Sequence, residues 1–157
     1  MSQHVTLTWF EHQIAYFCGT MRGIESARLG YRPVVWNGDP KQNDHQSAAA
    51  ELAVAKYINR FWRMGVNTFK EPDVGASIEV RWTPEPAGCL VVRPHDHDDR
   101  PYVLVRGLAP DFEIVGYVRG VEAKREEWRC DPGGRGVCYM VPSAALRELK
   151  ERNDQTI

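Results

Sequence analysis

The stretch "EPDVGASIEVRW", residues 71 to 82, sets Asp73, Glu79 and Arg81 within nine positions. At a strand's period of two, Ile78, Val80 and Trp82 point one way, and Ser77, Glu79 and Arg81 the other. A third carboxylate, Glu51, lies in "AAAELAVAKYI". At 100° per residue it falls in the middle of an apolar side made by Ala48, Ala55, Ile58 and Trp62. A carboxylate there is costly unless it is paired, protonated or bound to a cation. If the helix packs on the polar face of the strand, Glu51, Asp73 and Glu79 converge. Clustered carboxylates repel one another and need neutralising. A set of oxygen ligands suits a hard cation, Mg²⁺ or Mn²⁺. Such an ion activates water and stabilises the charge that builds up as a phosphodiester is cleaved. Arg81, beside it, would hold the phosphate.

The elements that must position these residues follow from periodicity. Phe10, Ile14, Phe17 and Met21 recur at i, i+4, i+7 and i+11, which predicts a first amphipathic helix. "VVWNGDPKQND" reads as a loop. The second helix is predicted over "HQSAAAELAVAKYINRFWRMG", capped by Asp44 or Ser47 and ended by Gly65. After it the period becomes two. "ASIEVRW", "CLVVR", "YVLVR" and "FEIVGYVR" read as strands, separated by "TPEPAG", "PHDHDDRP" and "GLAPD". "VEAKREEWR" is a short helix-compatible piece, "VCYMVP" a last strand and "SAALRELKERN" a capped closing helix. This order predicts one α/β (α+β) domain over residues 1–157, with a central mixed β-sheet flanked by helices and an extra N-terminal helical region at about 1–40.

"PDVGASIEVR", with the preceding helix "AAAELAVAKYI", resembles the PD-(D/E)XK nuclease superfamily, in particular its small phage-type members. The resemblance covers about residues 45 to 142 and implies a restriction-endonuclease-like core. By motif it implies Glu51, Asp73 and Glu79 as metal ligands, joined by the main-chain carbonyl of Val80, with Arg81 as the residue that positions the attacking water or the phosphate. The implied activity is Mg²⁺- or Mn²⁺-dependent hydrolysis of DNA, and enzymes that cut both strands often work as homodimers. Two positions depart from the pattern. Arg81 replaces the motif lysine and stays protonated at any working pH, so it cannot be a general base. The gap from Asp73 to Glu79 is also short for the superfamily. Both departures suit an alternative, a catalytically degenerate nuclease fold acting as a nucleic-acid or protein binding module.

Simpler roles exist for each residue. Asp73 after Pro72 can make a turn, and Glu79 with Arg81 can be a solvated charge pair. Glu51 can pair with Arg81 or Arg93 in a purely structural link. Arg22, Arg28, Arg32, Arg60, Arg63 and Arg135 are candidates for contacts to DNA. Fifteen arginines against five lysines would suit phosphate recognition, although a net charge of −1 excludes a uniformly basic surface. The cluster His95, Asp96, His97, Asp98 and Asp99 reads as a solvated turn, with a transition-metal site as the alternative and with a strand-end Asp able to approach the active centre. Trp36 and Trp82 could stack on bases, and Trp62 should pack in the core. The four cysteines lack metal-site spacing and are expected to be reduced. No apolar run approaches a bilayer span and no signal peptide is evident, so no membrane association and a cytoplasmic location are expected.

Overall fold

The computed structural model describes residues 2–31, 40–68 and 70–150, with only the backbone of Pro40 and Lys41. Thr8 begins the first helix, α1 (Trp9–Arg28), through a reciprocal capping box with Glu11. The predicted helix is present, but its apolar stripe is not what it buries. Phe10, Ile14, Phe17 and Met21 stay exposed, while Ala15, Cys18 and Gly19 are covered. Gly19 explains the choice of face. A Cβ there would lie 2.7 Å from the backbone of His45, so only glycine lets α1 approach α2 this closely.

The second helix, α2 (Pro40–Tyr57), starts earlier and stops sooner than its apolar pattern suggested. Pro40 opens it, so "PKQND" is helical and not loop. Asn59 ends it in the left-handed region, with φ 52°. The Asn59 N–H donates to Lys56 O and the Arg60 N–H to Ala55 O, the paired bonds of a Schellman stop. The chain then turns, which frees Arg60 to Gly65 from helical spacing.

Four strands form the main sheet in the order β1-β5-β4-β2: β1 (Gln3–Thr6), β2 (Glu79–Thr83), β4 (Pro101–Leu108) and β5 (Asp111–Arg119). β2 runs parallel to β4, and the other pairs are antiparallel. A second sheet has the order β3-β7-β6, from β3 (Leu90–Val92), β6 (Arg129–Cys130) and β7 (Cys138–Val141). The edge strand β1 and the two-residue β6 were not anticipated; β6 is too short to show alternation, and in β1 only Val5 of the four residues is apolar. Cys130 and Cys138 face each other across β6 and β7 as free thiols, with sulfurs 3.7 Å apart.

β4 is buried on both faces from Pro101 to Val105, which is why "YVLV" is an unbroken apolar run. Val103 and Val105 join α1, α2, Phe112 and Ile114 in one core. Tyr102 and Leu104 join Leu90, Val92, Val118 and Val141 in another, under the second sheet. The result is a mixed α/β fold with a central multi-strand sheet and helices against it. A bulge opposite Leu104/Val105 lets β5 keep Phe112, Ile114 and Tyr117 on the same core.

The closing helix is a correction. Only a 3₁₀ turn, Ser143–Ala145, forms. Arg147 then exchanges two backbone hydrogen bonds with Tyr117, and Leu149 is drawn into the core. Gly116 permits this, because a Cβ there would sit 2.6 Å from Arg147 O. Residues 151–153 of the predicted helix, with Arg32 and Trp36, lie outside the described residues. No helix among the described residues is long and apolar enough to cross a membrane.

Candidate active site

β2 is the free edge of the main sheet, and its register decides where the motif residues go. Glu79 and Arg81 pair with Tyr102 and Leu104, so they share the face of the second core. Val80 and Trp82 pair with Val103 and Val105 and face α2. The helix therefore packs on the opposite face from the one that would have stacked Glu51 directly over Glu79.

Asp73 sits at the border between the two faces. The short segment to Glu79 is folded into a tight return, in which Asp73 and Val74 both donate backbone N–H bonds to Ile78 O. Gly75 takes φ +59° at the tip. The return brings the Asp73 side chain alongside the edge of β2, where its Oδ2 accepts the Val80 N–H at 2.8 Å. A strand residue's N–H and C=O point to the same side, so the Val80 carbonyl also faces this open edge. It receives only a long 3.4 Å bond from Arg81. Burial, then the charges of Glu51 and Glu79, push the Asp73 carboxyl up to about 8, against weaker help from the Val80 N–H and Arg81. Asp73 forms no ion pair of its own among the described residues.

The other two carboxylates are held by arginines. Glu51 is the one buried charged side chain among the described residues, 5% exposed. Arg22 grips it with two bonds of 2.8 and 2.7 Å, and the Trp62 indole adds a third at 3.0 Å. Arg22 also donates to Gly65 O, so it ties α1 both to α2 and to the segment that follows it. Its partner is thus neither Arg81 nor Arg93, and Arg22 is not placed to meet DNA. Glu79 accepts from Arg100 at 2.5 Å and has Arg81 at 3.8 Å.

Arg81 lies over the Tyr102 ring, 4.9 Å from its centre, and bonds Asp96 at 3.0 Å. Asp96 also accepts the Arg93 N–H. Burial pushes the Asp96 carboxyl up, but Arg81 and that N–H outweigh it and hold the carboxyl below its usual value. Lys124 fastens the rest of the His/Asp loop by bonding Pro94 O, Asp96 O and Asp98. The loop is therefore a braced turn that delivers one carboxylate to Arg81.

Of the arginines proposed for DNA, Arg60 and Arg63 are exposed, Arg60 against Gly75 and Arg63 with its backbone N–H donating to Asp73 O. Arg60 and Phe61 line a shallow cleft of about 350 Å³ with residues Gly75 to Ile78. Arg63 donates to Gly75 O and takes Glu71 at 3.8 Å. Arg28 pairs with Glu25 at the far end of α1, and Arg135 is exposed on the loop before β7. Trp82 donates to Gly107 O, and Trp62 serves Glu51.

Sequence reasoning missed Arg100 and Trp62 as parts of this centre, whereas Asp96 is the acid from the His/Asp loop that was expected to be able to approach it. Arg100 was findable in principle. It lies two residues before Tyr102 on one strand face, diagonal to Glu79 once β2 and β4 are known to be neighbours.

Among the described residues, no three His, Cys, Asp or Glu side chains surround a point that could hold a metal ion. The oxygen donors that share the β2 edge are the Asp73 carboxyl and the Val80 carbonyl, with Glu79 next to them in the strand. These are the types of oxygen donor that could hold a hard cation, which takes one or two carboxylates and keeps several waters. Glu51, with both oxygens engaged, is outside it. No protein-family model matches this chain, and neither a curated protein nor a solved structure does.

Proposed function

We propose that the protein is a divalent-metal-dependent DNA nuclease of the PD-(D/E)XK kind, hydrolysing phosphodiester bonds at the free edge of β2. One observation carries this reading. Asp73 is a crowded carboxyl without a cationic partner, raised to about 8 and held at the strand edge beside an outward-facing carbonyl. Two neighbouring carboxylates increase its need for positive charge.

Asp73, Glu79 and the Val80 carbonyl would hold Mg²⁺ or Mn²⁺. When bound, the cation supplies a water of lowered pKa and neutralises charge on the phosphate. Asp73 gives up its proton on loading and then serves as an anionic ligand. Arg81 remains a cation, steadied by Asp96 and Tyr102, and orients the scissile phosphate. Arg100 holds the Glu79 carboxylate in place. Glu51 acts from behind, as the negative charge that raises Asp73 without being a ligand. Arg60 and Arg63 take the DNA backbone, and exposed Phe61 offers a face to a base.

The test is cleavage of plasmid, single-stranded and branched DNA with Mg²⁺, Mn²⁺ or EDTA. Wild type is compared with Asp73→Ala and Glu79→Ala. Metal-dependent cutting lost in both variants is the expected result. A folded wild type that neither cuts nor binds Mn²⁺ overturns the proposal. That outcome would favour the second reading, a degenerate nuclease fold kept as a nucleic-acid or protein binding module. The engagement of Glu51 by Arg22 and Trp62 is the observation on its side.

A further inference from the structure

The outer face of α1 carries a stripe that the fold leaves bare. Phe10, Ile14, Phe17, Met21 and Ile24 are 73%, 46%, 62%, 36% and 56% exposed. Trp9, 69% exposed, packs edge-on against Phe10 with ring centres 5.0 Å apart. At about 200 Å² for a fully exposed large side chain, these six offer roughly 700 Å² of apolar surface. A typical monomer's largest patch reaches only about 300–600 Å². Each partner in a standard-size interface contributes about 800 Å².

We infer that this stripe is the interface of a two-fold symmetric homodimer, with α1 packed antiparallel on its own copy. The stripe's internal symmetry selects a second copy as the occupant. Phe17 is the midpoint of Phe10 to Ile24. A two-fold axis beside Phe17 sets it against itself, Phe10 against Ile24 and Ile14 near Met21. Phe10, Ile14, Phe17, Met21 and Ile24 then each lie against another apolar side chain, as an isologous contact requires, and Trp9 falls at the rim opposite Glu25. The charged residues at the C-terminal end, Glu25 and Arg28, are already paired with each other, so no unmatched charge enters the contact. The face that α1 turns to α2 is a different one, made of Ala15, Cys18 and Gly19, so the dimer leaves the monomer's packing intact.

Sedimentation velocity of the full chain tests this across about a hundredfold range of concentration. Wild type should sediment as a particle of twice the 17.9 kDa chain mass. Phe17→Glu should reduce it to a monomer with unchanged circular dichroism and an unchanged cysteine count, because two carboxylates would meet on the axis. Phe17→Cys should give a disulfide-linked dimer under mild oxidation, and His12→Cys, about 140° round the helix from Phe17, should not. A wild type that stays monomeric throughout overturns the inference. So does a dimer that survives Phe17→Glu, since another surface would then hold it. None of these outcomes depends on nuclease activity.

Discussion

Asp73 Oδ2 accepts the Val80 N–H at 2.8 Å, so a side chain takes the place of a neighbouring strand at the free edge of β2. The contact satisfies one exposed backbone donor and leaves the Val80 carbonyl beside it facing the same opening. It also fixes a carboxyl where burial and two other acids oppose its ionisation. The contact protects the sheet edge, and in the proposed nuclease it would also hold the metal ligand in position.

The raised Asp73 carboxyl makes stability fall with pH. Its folded value, about 8, lies above the ordinary value near 4, so the folded state holds the proton longer. The metal-free protein should therefore lose stability progressively from about pH 4 to pH 8, by a few kcal/mol from this group. Asp73→Asn, which can still accept the Val80 N–H, should flatten that slope and be the more stable form at pH 8.5. Urea unfolding of both proteins at pH 5 and pH 8.5 measures the difference. An identical slope in the two would show that Asp73 ionises normally.

Cation binding should displace the same proton. At pH 7, Mn²⁺ should release on the order of one proton per site, and close to none above pH 9. Calorimetry in two buffers of different ionisation enthalpy reads this number directly. Asp73→Asn should abolish the release together with most of the binding.

Arg22 and Glu51 should behave as a buried pair whose halves are costly alone. Arg22→Ala strands a carboxylate and should destabilise by about 3–5 kcal/mol. Arg22→Met combined with Glu51→Leu should recover most of that loss, which thermal unfolding would reveal. Because Glu51 is not a ligand in this arrangement, the double variant should still bind Mn²⁺. Loss of binding by a stable double variant would return Glu51 to the ligand set.

Asn59 ends α2 with a positive φ, where a β-carbon is strained. Asn59→Ala should cost about 1 kcal/mol, and Asn59→Gly should be close to neutral. Chemical denaturation distinguishes the two. Equal losses would mean that the Asn side chain, and not the backbone conformation, sets the stop.

The strands that line the candidate site were legible because alternation is local. "ASIEVRW", "YVLVR" and "FEIVGYVR" became β2, β4 and β5, and the sharing of one face by Glu79 and Arg81 follows from a period of two. The acid on the apolar side of α2 was equally visible, since helical geometry alone puts Glu51 among alanines. The helix ends were less so. Nothing in the apolar pattern separates Asn59 from its neighbours, and the arrest of α2 rests on one backbone conformation. The turn that replaces a closing helix depends on Tyr117, distant in sequence, and on the missing side chain of Gly116.

By itself the sequence determined that α1, α2 and the strands β2, β3, β4, β5 and β7 would form, and that Glu79 and Arg81 would share a strand face while Glu51 sat on the apolar side of a helix. Only the tertiary structure decided which face of β2 the helix covers, and hence that Glu51 meets Arg22 while Asp73 is left without a cation. The reason is that periodicity defines faces but not partners. Arg22 and Glu51 lie 29 positions apart, Arg100 and Glu79 21. Their pairing follows from the close approach of α1 and α2 at Gly19 and from the parallel register of β2 on β4. It is likewise packing that turned the small side of α1 inward and left its large apolar side chains facing out.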